Sequence, residues 1–132
     1  MIKHITIETR FRNQMINITR QITEIVKDSG IVSGICILNV PHTTASITLN
    51  ENEDPNTQND LLSFLSKLVP DDVLYTHKAG NGDSHIKATI VGNTVTLIIE
   101  DNEILLGTWQ GIFFCEFDGP RNRQLLIKLI RE

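Results

Sequence analysis

Three of the four histidines stand at the edges of predicted strands. His42 follows Pro41, and His77 and His85 flank the glycine-rich run KAGNGDS. A neutral imidazole ligates metal ions, and near pH 7 it exchanges protons as an acid or a base. Three such side chains could hold a catalytic metal with an open coordination position. The spacing is loose, so only the fold could unite them; the alternative is three unrelated surface or capping histidines.

The densest polar run is HTTASITLNENEDP, residues 42–55. Hydroxyls such as those of Thr43 and Thr44, close to a helix start, suit a phosphate group, and the carboxylates suit Mg²⁺ bridging to that phosphate. The alternative is a strand with solvated hydroxyls that leads into an acidic helix N-terminus. We favour a helix cap for Asp54, whereas for Glu51 the two interpretations are balanced.

Two glycine-rich segments could approach a ligand closely. Residues 80–85, GNGDSH, contain Asn81 and Asp83, and their backbone could donate to an anion. This is not a Walker loop, because GKS or GKT is absent, and a plain turn has the same composition. In GTWQG, residues 107–111, Trp109 stands between two glycines and could stack on a flat ring. A core or subunit-interface tryptophan is the alternative.

Two arginines follow the turn DGP at 118–120. Arginine forks fit phosphate bidentately, so Arg121 and Arg123 are candidates for an anion-binding arm. We favour Arg121, because it is nearer the turn. The alternative is internal pairing with the acidic neighbours Glu116 and Asp118.

Composition indicates one soluble globular domain spanning residues 1–132. Hydrophobic residues make up 40% and charged residues 21%, with a formal net charge of −4. That charge disfavours nucleic-acid and membrane partners. The N-terminus has no signal-peptide layout, and no apolar run reaches the ~20 residues of a membrane helix. Cys36 and Cys115 lie in apolar runs, so we interpret them as buried thiols of a cytoplasmic protein.

The elements that must position these residues follow from periodicity. Residues 2–9 alternate as a strand, residues 15–29 have helical spacing before Gly30, and Asp54-Pro55 begins a second helix that ends at Pro70. A loop is predicted from Pro70 to Ser84. Further strands are predicted at 31–40, 45–49, 86–91, 94–100, 106–117 and 124–130. The pattern predicts an α+β fold with a largely antiparallel sheet and two helices.

Four of these segments together resemble the YjbQ family, a family of uncharacterised proteins. They are HTTASITLNENEDP at 42–55, HKAGNGDSH at 77–85, LGTWQGI at 106–112 and EFDGPRNR at 116–123, and the resemblance covers nearly the whole chain. It implies a compact α+β subunit, a homotrimer, a polar cleft near the histidines and a secondary thiamine-phosphate synthase activity. It points to eight site residues: His42, His77, His85, Asn81, Asp83, Glu51, Trp109 and Arg121.

Two functions of different classes follow. The first is an enzyme that handles a phosphorylated small molecule, with His42, His77, His85 and Asp83 as catalytic candidates and Thr43, Thr44, Asn81, Trp109 and Arg121 as substrate-binding candidates. The second is a non-catalytic trimer that binds an anion or a metal. A divalent cofactor, Zn²⁺ or Mg²⁺, is consistent with either, and the three histidines are its candidate ligands. If they bind a metal, metal-activated hydrolysis is the more natural chemistry.

Overall fold

A computed structural model describes residues 2–132. It has eight strands and three helices in those residues, and each of the four family-specific segments contains the start or the end of at least one of them. In chain order they are β1 (Ile2–Glu8), β2 (Gln14–Asn17), α1 (Thr19–Ser29), β3 (Gly34–Asn39), β4 (Ala45–Glu51), α2 (Pro55–Leu68), α3 (Gly82–Val91), β5 (Thr94–Glu100), β6 (Glu103–Ile104), β7 (Gln110–Glu116) and β8 (Asn122–Arg131).

The strands form two antiparallel sheets, which confirms the predicted α+β class. The larger sheet has the order β1-β8-β3-β5-β6, and the smaller has the order β2-β7-β4. The main core contains inward side chains of both sheets together with Ile22 and Val26 of α1. A smaller cluster joins Leu65 of α2, Ala88 of α3 and Cys115 of β7. Strand β7 therefore supplies side chains to both cores.

The start of α2 agrees with its sequence signals. Asp54 Oδ1 accepts the backbone N–H of Asn56 at 3.0 Å, with Pro55 in the first helical turn. Glu51 belongs to the same cap, because its Oε2 accepts the N–H of Asp54 at 3.1 Å and the hydroxyl of Thr57 at 3.2 Å. The predicted cap is confirmed, and the acidic run stabilises a helix start.

The prediction of two helices is wrong, because α3 occupies the end of the predicted loop and the predicted strand 86–91. The β-branched run IKATIV favours a strand locally. Long-range bonds favour the helix instead: Ser84 Oγ donates to the carbonyl of Phe117 at 2.6 Å, and Ser46 Oγ donates to that of Ala88 at 2.9 Å. Tertiary packing therefore overrides the local preference.

Two predicted boundaries also change. Met15 begins no helix but lies in β2, and α1 starts at Thr19, whose N–H donates to Asn17 Oδ1 at 3.0 Å. The strand predicted at 106–117 begins only at Gln110, after a turn. Among the helices of residues 2–132, none is long and apolar enough to cross a membrane.

Candidate functional site

A polar cavity lies where the loop before β4, the first turn of α3 and the β7–β8 turn meet. We call it the histidine cleft; its volume is about 390 Å³. An adjoining cavity of about 460 Å³ shares His42, Thr43 and His85 with it. The lining residues of the histidine cleft are Pro41, His42, Thr43, Thr44, Asn81, His85, Asp118, Arg121 and Arg123.

His42 is oriented by a strand far away in the sequence. Its Nε2 accepts the backbone N–H of Gln124 in β8 at 2.9 Å. Burial lowers the pKa of His42 below its ordinary value of 6.5, and the positive charge of Arg123 lowers it further. The ring is therefore neutral near pH 7. Because Nε2 accepts a hydrogen bond, the ring proton is on Nδ1, which makes Nδ1–H a donor.

His77 and His85 contact each other edge to face, with ring centroids 4.8 Å apart and an interplanar angle of 80°. Both line a further cavity of about 390 Å³ together with Tyr75, Thr76, Gly82 and Ile86. We call it the aromatic cavity. His85 lines all three cavities, whereas His77 does not line the histidine cleft. The structure therefore connects the three histidines in a chain through His85.

The three histidines do not fit a metal site as they lie. Within residues 2–132, no three His, Cys, Asp or Glu side chains are arranged to hold a metal ion. Nε2 of His42 already accepts the N–H of Gln124, so it has no lone pair left for a cation. The predicted Mg²⁺ ligands near residue 51 belong to the α2 cap.

The catalytic role predicted for Asp83 does not fit its position. Its carboxylate is 1% exposed and accepts two bonds from Arg12, at 2.9 and 3.0 Å, and one from Lys87 at 3.1 Å. Burial alone would raise the pKa of Asp83, but the hydrogen bonds from Arg12 and Lys87 outweigh burial and lower it. Asp83 is thus an engaged anion that joins α3 to the β1–β2 loop.

Arg121 reaches the histidine cleft from the β7–β8 turn. Its Nε donates to the carbonyl of Asp118 at 2.7 Å, and its Nη2 donates to Asp118 Oδ2 at 2.8 Å. The same Oδ2 accepts Nδ2 of Asn81 at 2.8 Å. Asp118 therefore aligns two of the predicted substrate-binding residues. The side chain of Arg121 is 52% exposed, whereas that of Arg123 is 5% exposed.

Arg123 and Glu116 form a buried ion pair, which is the internal pairing that the sequence left open as the alternative. Nε of Arg123 donates to Glu116 Oε1 at 2.8 Å, and Nη2 donates to Oε2. Nη2 also donates to the hydroxyl of Thr44 at 2.8 Å. Burial raises the pKa of Glu116, yet bonds from Arg123 and Thr9 outweigh this and lower it. Both arginines thus pair internally, which was the alternative to an anion-binding arm.

Trp109 lies outside the histidine cleft, the adjoining cavity and the aromatic cavity. It is 61% exposed in the turn before β7, and its carbonyl accepts the N–H of Asn52 at 2.9 Å. Within one subunit, Trp109 is therefore not a core residue, and it is not placed to stack on a ligand in the histidine cleft. The aromatic surface next to the cleft is supplied by Tyr75 and the paired histidines instead.

Comparisons with known proteins agree with the family signals. The model of the family described as UPF0047 protein YjbQ-like matches residues 3–132. UPF0047 protein MJ1081 of Methanocaldococcus jannaschii is 49% identical over 124 residues, which cover 94% of this chain and 90% of the relative. UPF0047 protein YugU of Bacillus subtilis is 44% identical over 131 residues, covering 98% and 99%.

Solved structures extend the likeness to the fold. A crystal structure of a yjbq/upf0047 family protein from Clostridium acetobutylicum superposes with a TM-score of 0.94 and 43% identity, covering 97% of this chain and 99% of that one. A YbjQ-like protein of unknown function from Sulfolobus solfataricus gives a TM-score of 0.96 and 30% identity, covering 100% and 97%.

Proposed function

The chain belongs to the YjbQ-like UPF0047 family, and from that membership we propose that it binds a phosphorylated small molecule in the histidine cleft and acts on it. One observation carries the proposal: side chains with N–H donors line one cavity and come from four parts of the chain, namely the loop before β4, the start of α3, the β7–β8 turn and β8. These side chains are His42, Asn81, His85, Arg121 and Arg123. Convergent donors of this kind suit the oxygens of a phosphate group.

The cleft would bind by directed hydrogen bonds more than by net charge. Arg121 is compensated by Asp118 and Arg123 by Glu116, and His42 is neutral near pH 7. The donors of the cleft can therefore bind a ligand although the cleft as a whole carries little net positive charge. Affinity for phosphate should accordingly fall only modestly with added salt, unlike that of a basic patch.

The aromatic cavity would take the rest of the ligand. Tyr75, His77 and His85 present rings there, and Ile86 adds an apolar contact. An added Cβ at Gly82 would stand 2.7 Å from ring carbon Cγ of Tyr75, which means that the ring lies directly against the backbone. Such a slot next to an anion cleft suits a phosphate ester of a planar ring.

The reaction that fits both the histidine cleft and the aromatic cavity is the thiamine-phosphate synthase chemistry implied by the family resemblance. The thiazole nitrogen supplies the electron pair for a new C–N bond to the pyrimidine methylene carbon. The methylene C–O bond breaks, and pyrophosphate leaves with the electron pair of that C–O bond. Donors such as Nδ1–H of His42 and the Arg121 guanidinium would stabilise the charge that develops on the departing oxygens.

The test is release of pyrophosphate when the purified chain is mixed with the pyrimidine diphosphate and the thiazole phosphate. We expect turnover, with at least a tenfold loss in His42→Ala. His4→Ala, in an exposed position on β1, is the matched control and should keep full turnover. Ligand binding without turnover would favour the non-catalytic anion-binding function, and absence of binding would overturn the proposal.

We also propose that the chain assembles as a homotrimer, as the family resemblance implies. An apolar row crosses the outer face of the larger sheet, where Ile35 pairs with Ile98 on one side and Ile130 on the other. These side chains are 40%, 59% and 43% exposed in the single subunit. Exposed apolar side chains that adjoin one another are typical of protein–protein contacts.

A further inference from the structure

We propose that the buried Arg123 binds the phosphate through Nη1, and that Glu116 and Thr44 are positioning residues for its guanidinium. This assignment rests on the proposed function, because it names the donor inside the same cleft. It adds to the exposed Arg121 a second arm that is already fixed in place. The sequence favoured Arg121 over Arg123 for this role.

The bonds of Arg123 leave one nitrogen available. Nε and Nη2 donate to the carboxylate of Glu116, and Nη2 also donates to Thr44, whereas Nη1 has no hydrogen-bond partner within residues 2–132. In the same part of the chain, the only fully buried side-chain polar atom without a partner is Oδ1 of Asn81. Nη1 is therefore accessible to solvent. Arg123 is only 4% exposed and lines the histidine cleft, so its Nη1 opens into that cleft.

Glu116 is well placed to hold the guanidinium still. It is fully buried, and its carboxylate accepts the hydroxyl of Thr9 at 2.7 Å and the backbone N–H groups of Phe117 and Asp118, each at 3.0 Å. These bonds join the residue after β1, the end of β7 and the following turn around one carboxylate. Glu116 on one side and Thr44 on the other thus fix the Arg123 guanidinium.

Anchoring changes how this arginine can bind. An exposed arginine loses side-chain entropy when it closes on a ligand, whereas Arg123 has already lost it on folding. The Glu116 charge neutralises the pair, so Nη1 offers a directed hydrogen bond with little long-range attraction. The ligand class that fits is a phosphate ester whose oxygen reaches this buried wall of the cleft.

The first test uses the wild-type chain, so it does not depend on a variant that folds. Inorganic phosphate is titrated into uniformly ¹⁵N-labelled protein and followed by NMR. We expect the side-chain signals of Arg123 to shift along the same saturation curve as the backbone amide of Thr43 in the cleft. Arg20, exposed on α1 and paired with Glu24, is the control and should not shift. A Thr43 curve with no change at Arg123 would overturn the assignment of Nη1.

The second test compares phosphate affinities of variants by the same titration. Arg123→Lys keeps a cation beside Glu116 but lacks Nη1, and we expect phosphate affinity to fall at least tenfold. Arg20→Lys is the matched control. Thr44→Val should lower the affinity several-fold by releasing Nη2, and Thr44→Ser, which restores an accepting oxygen, should recover most of that loss. Unchanged affinity in a folded Arg123→Lys, with Arg121→Ala still weakened, would overturn this assignment alone. If phosphate shifts no cleft signal in the wild type, the proposed function itself fails.

Discussion

Nε2 of His42 accepts the backbone N–H of Gln124, although 82 positions separate the two residues in the chain. The bond ties the loop before β4 to the third residue of β8. It also fixes which ring nitrogen carries the proton, and it does so through a backbone group that cannot itself change protonation. The state of His42 is therefore determined by the fold and not by a titrating partner.

His42 should make stability depend on pH. Its pKa in the folded chain lies below the ordinary value of 6.5, so between the two values the unfolded chain binds more protons. Stability should fall as the pH drops through about 6.5. His42→Asn should reduce the difference between the free energies of unfolding in urea at pH 7.5 and pH 5.5. A pH dependence equal to that of wild type would contradict the proposed environment of His42, and His4→Asn is the control.

Asp83 should prove structural. Asp83→Asn leaves Lys87, with a side chain only 2% exposed, without its charge partner, and should cost about 3 kcal/mol of unfolding free energy. Adding Lys87→Met to this variant should recover part of the loss. Glu24→Gln breaks the exposed pair with Arg20 and should cost less than about 0.5 kcal/mol. Urea unfolding measures the stability of all three variants. If the Asp83→Asn chain were as stable as wild type but inactive, Asp83 would be catalytic and not structural.

Gly82 should resist substitution because of its neighbour. A Cβ there would lie 2.7 Å from the Tyr75 side chain, closer than van der Waals contact allows. Gly82→Ala should therefore displace the Tyr75 ring, lower stability by about 1–3 kcal/mol and weaken binding of ring-bearing ligands. Tyr75→Ala in the same chain should relieve the clash and restore part of the stability. Thermal melts check the stability, and calorimetry checks the binding of ring-bearing ligands. Equal melting temperatures of Gly82→Ala and wild type would show that the Tyr75 ring moves freely.

Arg121 should matter for binding and little for folding. Its two side-chain bonds both go to Asp118 in the same exposed turn. Removing a charged phosphate contact should cost ~1.5–3 kcal/mol of binding, which is tenfold or more in affinity. Calorimetry of Arg121→Ala with a phosphate ester should show this loss with little change in melting temperature. Unchanged affinity together with a lower melting temperature would make Arg121 structural.

Assembly is checked by sedimentation. The proposed homotrimer should sediment at micromolar concentration with three times the subunit mass of 14.9 kDa. The physical reason is that Ile35, Ile98 and Ile130 form an exposed apolar row. Burial of this row in a contact between subunits is favourable. A mass near that of one subunit would reject the proposal. If this row forms the contact between subunits, Ile98→Lys should lower the fraction of trimer.

The sequence predicts best what is decided over a few residues. Asp54 and Pro55 specify the start of α2 by themselves, since cap and first turn are adjacent. Helix α3 was not predictable in this way. The buried face of α3 is held by the bond between Arg12 and Asp83, which lie 71 positions apart in the chain. Local propensity contains no information on such a contact.

The candidate site shows the same division. The segments around His42, His85 and Arg121 were predicted from unusual residue runs, and the structure places all three on one cavity. The Glu116–Arg123 pair stood in the same run, but its importance depends on burial. The bond from Thr9 to Glu116 joins residues 107 positions apart. No spacing rule could have predicted that contact.

Strand β7 contributes side chains to both cores, and this has a consequence for how the molecule opens. Ile112 and Phe114 belong to the core between the sheets, while Cys115 belongs to the cluster under α2 and α3. Separation of either layer from β7 exposes one apolar face of that strand to solvent. Backbone amides of β7 should therefore exchange with deuterium only through global unfolding, and the helical layer that carries His85 should melt together with the sheets as one cooperative unit.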